Sequence, residues 1–308
     1  MASKKKNNVE KMKNILAFVL TILVLVLTYI QEREAAQSIH NNPSAGTIVV
    51  SQVEGELQIY YLDVGQADSI FITTNGKSML IDGGNNEDGK LVVDFLKQIG
   101  VAKIDYVVGT HPHEDHLGGL DNVIKAFDVE KILMPKQASN TKTFEDVLDA
   151  ASDKKLKITA PKVGDIFFLG EAKCEVMAIE NEVENANEAS IVIEVTFGSN
   201  KFLFTGDMEV ANERKRDWND VDVLKLGHHG SSTSSSKRFL NQTNPEIVII
   251  SVGTDNPYGH PHKEVMQRLN SMNTKIYRTN DSGTILLTSD GERINVQEFL
   301  ASCEGNVE

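Results

Sequence analysis

Cysteine is nearly absent from this chain of 308 residues: Cys174 and Cys303 are the only two. Two thiols so far apart are not spaced as zinc ligands. They exclude a disulfide-knitted framework, leave room for one disulfide or none, and read as structural residues. No internal repeat is apparent, and the only low-complexity stretch is Ser231-Ser-Thr-Ser-Ser-Ser236. Positive charge is also scarce, with 31 Lys and Arg against 44 Asp and Glu, a formal net charge of -13. Residues 1–13 hold five lysines (Lys4, Lys5, Lys6, Lys11, Lys13) against Glu10, so the remainder carries about -17. A surface this acidic repels nucleic acid unless a local basic patch or bound metal offsets it. After Ile30 the sequence shows no channel-forming helices, so any role in DNA transport needs a partner.

The basic start leads into the uncharged run from Ile15 to Ile30. Its roughly 16 residues lie just under the 17–25 or so of a spanning helix, and just over the h-region of a cleaved signal peptide. The Gln31-Glu32-Arg33-Glu34 that follows offers no small-x-small cleavage site. We therefore expect residues 1–13 to be a cytoplasmic basic tail and 14–30 an uncleaved transmembrane signal anchor. Residues 31–55 then form a linker and 56–302 a hydrolase domain exported to the extracellular side of the cell membrane. The alternative is secretion after signal cleavage.

Strand signals begin at Leu57–Val64 and continue through Ser69–Thr73, the turn Asn75-Gly76 and Ser78–Asp82. Leu91–Ile99 has apolar residues at helical spacing and stops at Gly100; Leu117–Phe127 and Thr143–Ala151 read as further helices. Later strands are expected at Cys174–Ile179, Ile191–Phe197, Lys201–Thr205, Val221–Leu226 and Ile247–Ser251. The pattern is α/β.

What the chain does have is clustered histidine. Seven of its eight histidines fall in three groups: His111/His113/His116, His228/His229 and His260/His262. The first lies in His111-Pro-His-Glu-Asp-His116, three imidazoles and two carboxylates in six residues. That density suits divalent metals, for which imidazole and carboxylate are the usual ligands. Each group, and the isolated Asp207, follows the end of an expected strand, where α/β architectures place their chemistry. Asp207 is suited to bridge two ions that activate a water, and no serine or cysteine nucleophile is needed. Ser231 has no strained elbow around it. Asp63, Asp68 and Asp82 read as hydrogen-bonding scaffold, and Gly83-Gly84 as a close backbone approach to the site.

Thr110-His-Pro-His-Glu-Asp-His116 resembles the HxHxDH signature of the metallo-β-lactamase fold superfamily, with Asp207 in the place of its bridging aspartate. Leu62–Ser69, Asp82-Gly-Gly84, Leu224–Ser231 and Tyr258-Gly-His-Pro-His262 narrow the likeness to the ComEC type of competence-protein extracellular domain, a neighbourhood that includes pneumococcal phosphorylcholine esterase. The resemblance runs from about Leu57 to Phe299 and implies an αββα sandwich with metals at one edge. It also implies that His111 and His113 bind a first metal, that Asp115 and His116 bind a second, and that Asp207 bridges. His228, in preference to His229, would complete the second site. A histidine usual in the superfamily about twenty residues before the bridging aspartate is missing, since Asn185–Ser190 contains none. The last ligand of the first metal is thus open among Asn187, His260 and His262.

Together these readings predict a membrane-anchored, metal-dependent hydrolase of the phosphodiesterase or phosphoesterase kind, with Asp115 and Asp207 at its catalytic centre. Two divalent ions are expected, zinc first and manganese as the alternative, acting on nucleic acid or a phosphorylated polymer. The alternatives are a non-catalytic or accessory DNA-binding module for uptake and a β-lactam or lactone hydrolase. Substrate-binding residues and protein partners are not legible.

Overall fold

The computed structural model describes residues 55–299, almost all of the expected hydrolase domain. The expected basic tail, the anchor at 14–30, most of the linker and Cys303 lie outside the described residues. Among those described, no helix is long and apolar enough to cross a membrane.

The strands at Leu57–Tyr61 (β1), Ile70–Thr74 (β2) and Lys77–Ile81 (β3) form the antiparallel meander that their turn signals predict. Helix α1 (Gly89–Gln98) then carries the chain across to Lys103–Val108 (β4), which runs parallel to β3. On α1 the buried Val92, Val93, Phe95 and Leu96 form one stripe, while Lys90, Asp94 and Lys97 stay in solvent. Helix α2 (Leu120–Ala126) leads to Asp128–Leu133 (β5), and α3 (Lys142–Asp153) to the short β6 (Ile158–Thr159), both in parallel pairing.

The second half of the chain builds a second sheet on the same plan. Ile166–Leu169 (β7), Ala172–Ala178 (β8), Val192–Phe197 (β9) and Asn200–Phe204 (β10) pair antiparallel. Val223–Lys225 (β11), Ile247–Ile250 (β12) and Lys275–Arg278 (β13) add in parallel, with α4 (Lys237–Thr243) and α5 (Lys263–Asn270) as crossovers. Finally Thr284–Ser289 (β14) returns to the first sheet beside β1, and Ile294–Phe299 (β15) closes its edge. This structural repeat leaves no sequence period.

Strand alternation explains the layers. Leu57, Ile59 and Tyr61 of β1 share one core with Ile193, Phe202 and Phe204, whereas Tyr60 turns to the opposite face and packs with Val92, Leu96 and Leu120. A third cluster joins Leu203, Leu224 and Val248 to Phe239, Leu240 and Leu269 on the outer face of the second sheet. The result is helix, sheet, sheet, helix, the expected αββα order. Cys174 is buried in the inter-sheet core, which pushes its thiol up to about 12.

One expected helix differs. The stretch 117–127 is broken into a single turn at Glu114–Leu117 and the separate α2, with Gly118-Gly119 between them. The cause is close backbone approach: a Cβ on Gly118 would lie 2.2 Å from Asn85 C and Asn86 N, and one on Gly119 would lie 2.2 Å from Gly83 O. Glycine here lets the histidine turn press onto the loop after β3. Gly118→Ala is expected to destabilise the fold by at least the 1–3 kcal/mol or so of an overpacked core, and to lower the thermal midpoint by several degrees. An unchanged melting curve would contradict this account of the contact.

Candidate metal centre

The site forms where strands of both sheets end side by side. His111, His113, Asp115 and His116 follow β4. Asp82 follows β3, Asp207 follows β10 and His228-His229 follow β11. These are the strands at which each sheet passes from antiparallel to parallel pairing, and there the connections leave a crevice.

Asp207 lies at the centre, almost fully buried. Its Oδ1 is 3.3 Å from His116 Nε2. Its Oδ2 is 3.5 Å from His228 Nε2, 3.8 Å from His229 Nε2 and 4.0 Å from His111 Nε2. Asp115 Oδ2 lies 3.3 Å from His229 Nε2 and 3.9 Å from His116 Nε2. Asp115, His116, Asp207 and His229 thus each offer a ligand atom within 4.8 Å of the others. His116 Nε2, Asp207 Oδ1 and His229 Nε2 are buried with no hydrogen-bond partner. Three orphaned polar atoms converging on one point are costly unless something binds them. The donor set of two imidazoles and two carboxylates fits a zinc-like or manganese-like divalent ion.

The structure brings His229, rather than His228, into the group with Asp115 and His116. Both residues have left-handed backbone, at φ 50° and 52°. The two rings consequently diverge, with planes 67° apart and centroids separated by 6.2 Å. His229 Nδ1 meets the carbonyl oxygen of Ser251 at 2.9 Å, which turns Nε2 inward. His111 and His113 meet Nε2 to Nδ1 at 3.1 Å. His262 is turned away: its Nδ1 accepts from Ser232 N–H at 2.9 Å and its Nε2 lies 3.1 Å from Tyr258 O. His260 stands at the rim, with Nδ1 3.3 Å from the Gln66 amide nitrogen and its ring stacked on Tyr258. Asn187 is buried, with its amide nitrogen 3.2 Å from Glu209 Oε1 and 3.4 Å from His228 Nδ1.

Outer partners hold these side chains in place. Asp82 accepts from Thr110 N–H and from Thr110 Oγ1–H, each at 2.8 Å, and receives His116 Nδ1 at 2.8 Å. The carbonyl oxygens of His116 and Asp115 accept from Gly83 N–H and Asp68 N–H. Asp68 in turn pairs with Lys225, which is fully buried on β11. Asp63, by contrast, accepts from Gly65 N–H at 3.3 Å and stays half-buried at the rim. Ser190 Oγ accepts from Asp207 N–H at 3.1 Å, and neither it nor Lys225 or Glu209 stands out as a site residue in the sequence. For Lys225 a signal existed: a lone lysine inside the apolar run Val223–Leu226 of a parallel strand buried on both faces.

The buried carboxylates and imidazoles shift one another's titrations. Burial opposes a charge on His116, but Asp207, Asp82 and Asp115 outweigh it and hold the imidazole well above its ordinary value. Burial would raise the Asp207 carboxyl, yet His116 and His229 hold it well below the usual carboxylate range. Burial and the neighbouring His116 push His111 well down, so its ring is neutral and ready to donate a lone pair. Burial, followed by His229 and His228, lowers His260 to about 4.

Comparison with known proteins bears on the family and the fold. The metallo-beta-lactamase superfamily profile matches residues 62–254. The chain is 28% identical over 300 residues to ComE operon protein 3 of Bacillus subtilis, which covers 88% of this chain and 39% of that protein. It is 30% identical over 249 residues to Recombination protein 2 of Haemophilus influenzae, covering 78% of this chain and 30% of the relative. It therefore spans well under half of either relative. Among solved structures, the metallo-beta-lactamase fold protein YhfI from Bacillus subtilis superposes with a TM-score of 0.50 at 12% identity, over 74% of this chain and 98% of that one. That likeness concerns the fold.

If Asp82 orients His116, Asp82→Asn should weaken divalent metal binding by roughly 10–100-fold while leaving the fold intact. The test is metal titration of the purified protein; an unchanged affinity would remove Asp82 from the site.

Proposed function

This chain belongs to the metallo-beta-lactamase superfamily, and from the geometry of its site we propose that it is a metal-dependent hydrolase of phosphodiesters or phosphoesters. Its hydrolase domain would be held outside the cell membrane by the segment 14–30. The observation that carries the reading is the buried Asp207 carboxylate with one oxygen towards His116 and the other towards His111, His228 and His229. A carboxylate so placed suits bridging of two ions. Asp115, His116, Asp207 and His229 would hold one, and His111, His113 and Asp207 would contribute to the other.

Two divalent ions, zinc or manganese, would supply Lewis acidity for water activation and neutralise charge on a phosphoryl group. The chain's own residues do the rest. A cleft of about 340 Å³ opens onto the centre, lined by Gln66, His113, Glu114, Asp115, Tyr258 and His260 together with Asp207, His228 and His229. Asp115 is the partly exposed carboxylate at its floor, placed to meet an incoming group. His260 stays neutral above about pH 4 and so can accept or donate a hydrogen bond at the rim. Gln66 spans the mouth, its carbonyl oxygen accepting from Gly253 N–H at 3.1 Å.

Water activation at such a centre would serve a phosphoester, a lactone or an amide alike. A phosphoester is favoured because Asp82-Gly-Gly84, Leu224–Ser231 and Tyr258–His262 resemble the competence type and not the β-lactam-hydrolysing branch. The likeness to Recombination protein 2, and the competence-type motifs of the sequence, favour nucleic acid as one substrate class. The adjacent cleft, however, is lined by Asp63, Glu87, Asp88 and Glu114, and this acidic wall disfavours a long polyanion on that side. The same likeness supports a second reading, an accessory DNA-binding module without catalysis. The two separate in one assay. Purified protein loaded with zinc or manganese is expected to hydrolyse bis-p-nitrophenyl phosphate, to lose activity on chelation, and to fall to background as Asp207→Ala. Equal rates in wild type and Asp207→Ala would end the catalytic reading; a β-lactam included in the panel should be left intact.

A further inference from the structure

One imidazole of the cleft stands apart from the carboxylates. His111, His116, His228 and His229 each bring Nε2 within 4.0 Å of Asp207. Among the described residues, neither ring nitrogen of His260 comes that close to any carboxylate, although His260 lines the same cleft. We propose that His260 contacts substrate and binds no metal: Gln66 fixes its ring with the proton on Nε2, and that N–H donates to a phosphoryl oxygen. This role rests on the phosphoester reading above.

The tautomer follows from a chain of hydrogen bonds. Gly253 N–H can only donate, so the Gln66 atom that it meets at 3.1 Å is the carbonyl oxygen. That orients the amide and turns its NH2 group to His260 Nδ1 at 3.3 Å. An amide NH2 offers no lone pair, so Nδ1 must accept. This excludes both the imidazolium and the Nδ1–H form, and the proton sits on Nε2. Among the described residues, Nδ1 is the only ring nitrogen of His260 with a hydrogen-bond partner. Nε2–H is therefore open to a ligand.

The surroundings hold this ring beside the centre. Asn256 Oδ1 accepts from His260 N–H at 2.9 Å, while Asn256 Nδ2 donates to His260 O at 2.8 Å and to Gly253 O at 3.0 Å. A Cβ on Gly253 would lie 2.7 Å from Gln66 N, so glycine lets the loop after β1 meet the rim directly. The His260 ring then lies 5.6 Å from that of His228 and 6.4 Å from that of His229, centroid to centroid. His229 Nε2 and Asp207 Oδ1, both buried without partners, belong to the same cleft. No lysine or arginine lines it, so a side-chain donor to a phosphoryl oxygen there must be a neutral one. Gln66 is thus a positioning residue, and His260 is the group that touches substrate.

Two measurements test this, and the first needs neither metal nor turnover. In full-length protein labelled with nitrogen-15 histidine, the His260 resonances are assigned by their loss in His260→Gln. Nitrogen shifts should place the proton on Nε2; a protonated Nδ1 would overturn the inference. In Gln66→Glu the carboxylate can only accept, and the proton should appear on Nδ1. In the second, zinc-loaded protein is titrated with inorganic phosphate. His260→Ala should bind phosphate about 10–100-fold more weakly, the loss of one hydrogen bond to a charged group, with metal content unchanged. His260→Gln, whose amide restores an N–H donor, should recover most of that affinity. Loss of a metal ion in His260→Ala would make His260 a ligand and overturn the inference. Unchanged phosphate affinity in that variant, or no phosphate binding by loaded wild type, would also overturn it. A wild type that binds phosphate through His260 yet cleaves no phosphoester would refute the proposed function and leave this role standing.

Discussion

The structure turns on one buried carboxylate. Asp207 is nearly inaccessible to water and faces imidazoles from both sheets, His111 and His116 after β4 and His228 and His229 after β11. An ionised group in such a place is costly unless neighbouring positive charge compensates it. In the protein alone the surrounding carboxylates hold His116 and His229 above the ordinary imidazole value, which favours their charged forms, and divalent ions would compensate more completely. The four imidazoles reach Asp207 from the ends of β4 and β11, beside the points where both sheets pass from antiparallel to parallel pairing. The left-handed pair at 228–229 turns its two rings apart next to it.

A second buried pair supports the first. Lys225 on the second sheet meets Asp68 in the loop before β2 of the first. Asp68 also lies 3.5 Å from His229 Nδ1 and 3.8 Å from His116 Nδ1. Removing one partner of a buried ion pair commonly costs about 3–5 kcal/mol, so this contact both joins the sheets and sets the local charge. Along with the Asp82–Thr110–His116 bonds, it makes the outer shell a continuous polar network.

Much of this was legible in the sequence, for physical reasons. Alternating apolar residues at Leu57–Tyr61 and the Asn75-Gly76 turn specify the first hairpins, because strand period and turn chemistry are local. Ligands after strand ends were visible because His111–His116 is too dense to be packing material. The helix break at Gly118-Gly119 was not legible, since it depends on how closely Asn85 approaches from elsewhere in the chain. The division of labour between His228 and His229 was equally hidden. Adjacent residues look equivalent in sequence, and only backbone dihedrals and distant partners such as Ser251 and Glu209 distinguish them. The pairing of Lys225 with Asp68 spans 157 positions and has no local trace beyond a misplaced charge in an apolar strand.

On the two-ion reading, Asp207 lies between two metal positions, each fed by ligands from both sheets. Anomalous diffraction from crystals grown with Mn²⁺ measures this directly. Two peaks flanking the Asp207 carboxylate, about 3.5–4 Å apart as in other two-metal sites, are the expected result. A single peak remote from Asp207, or none at saturating manganese, would contradict the account.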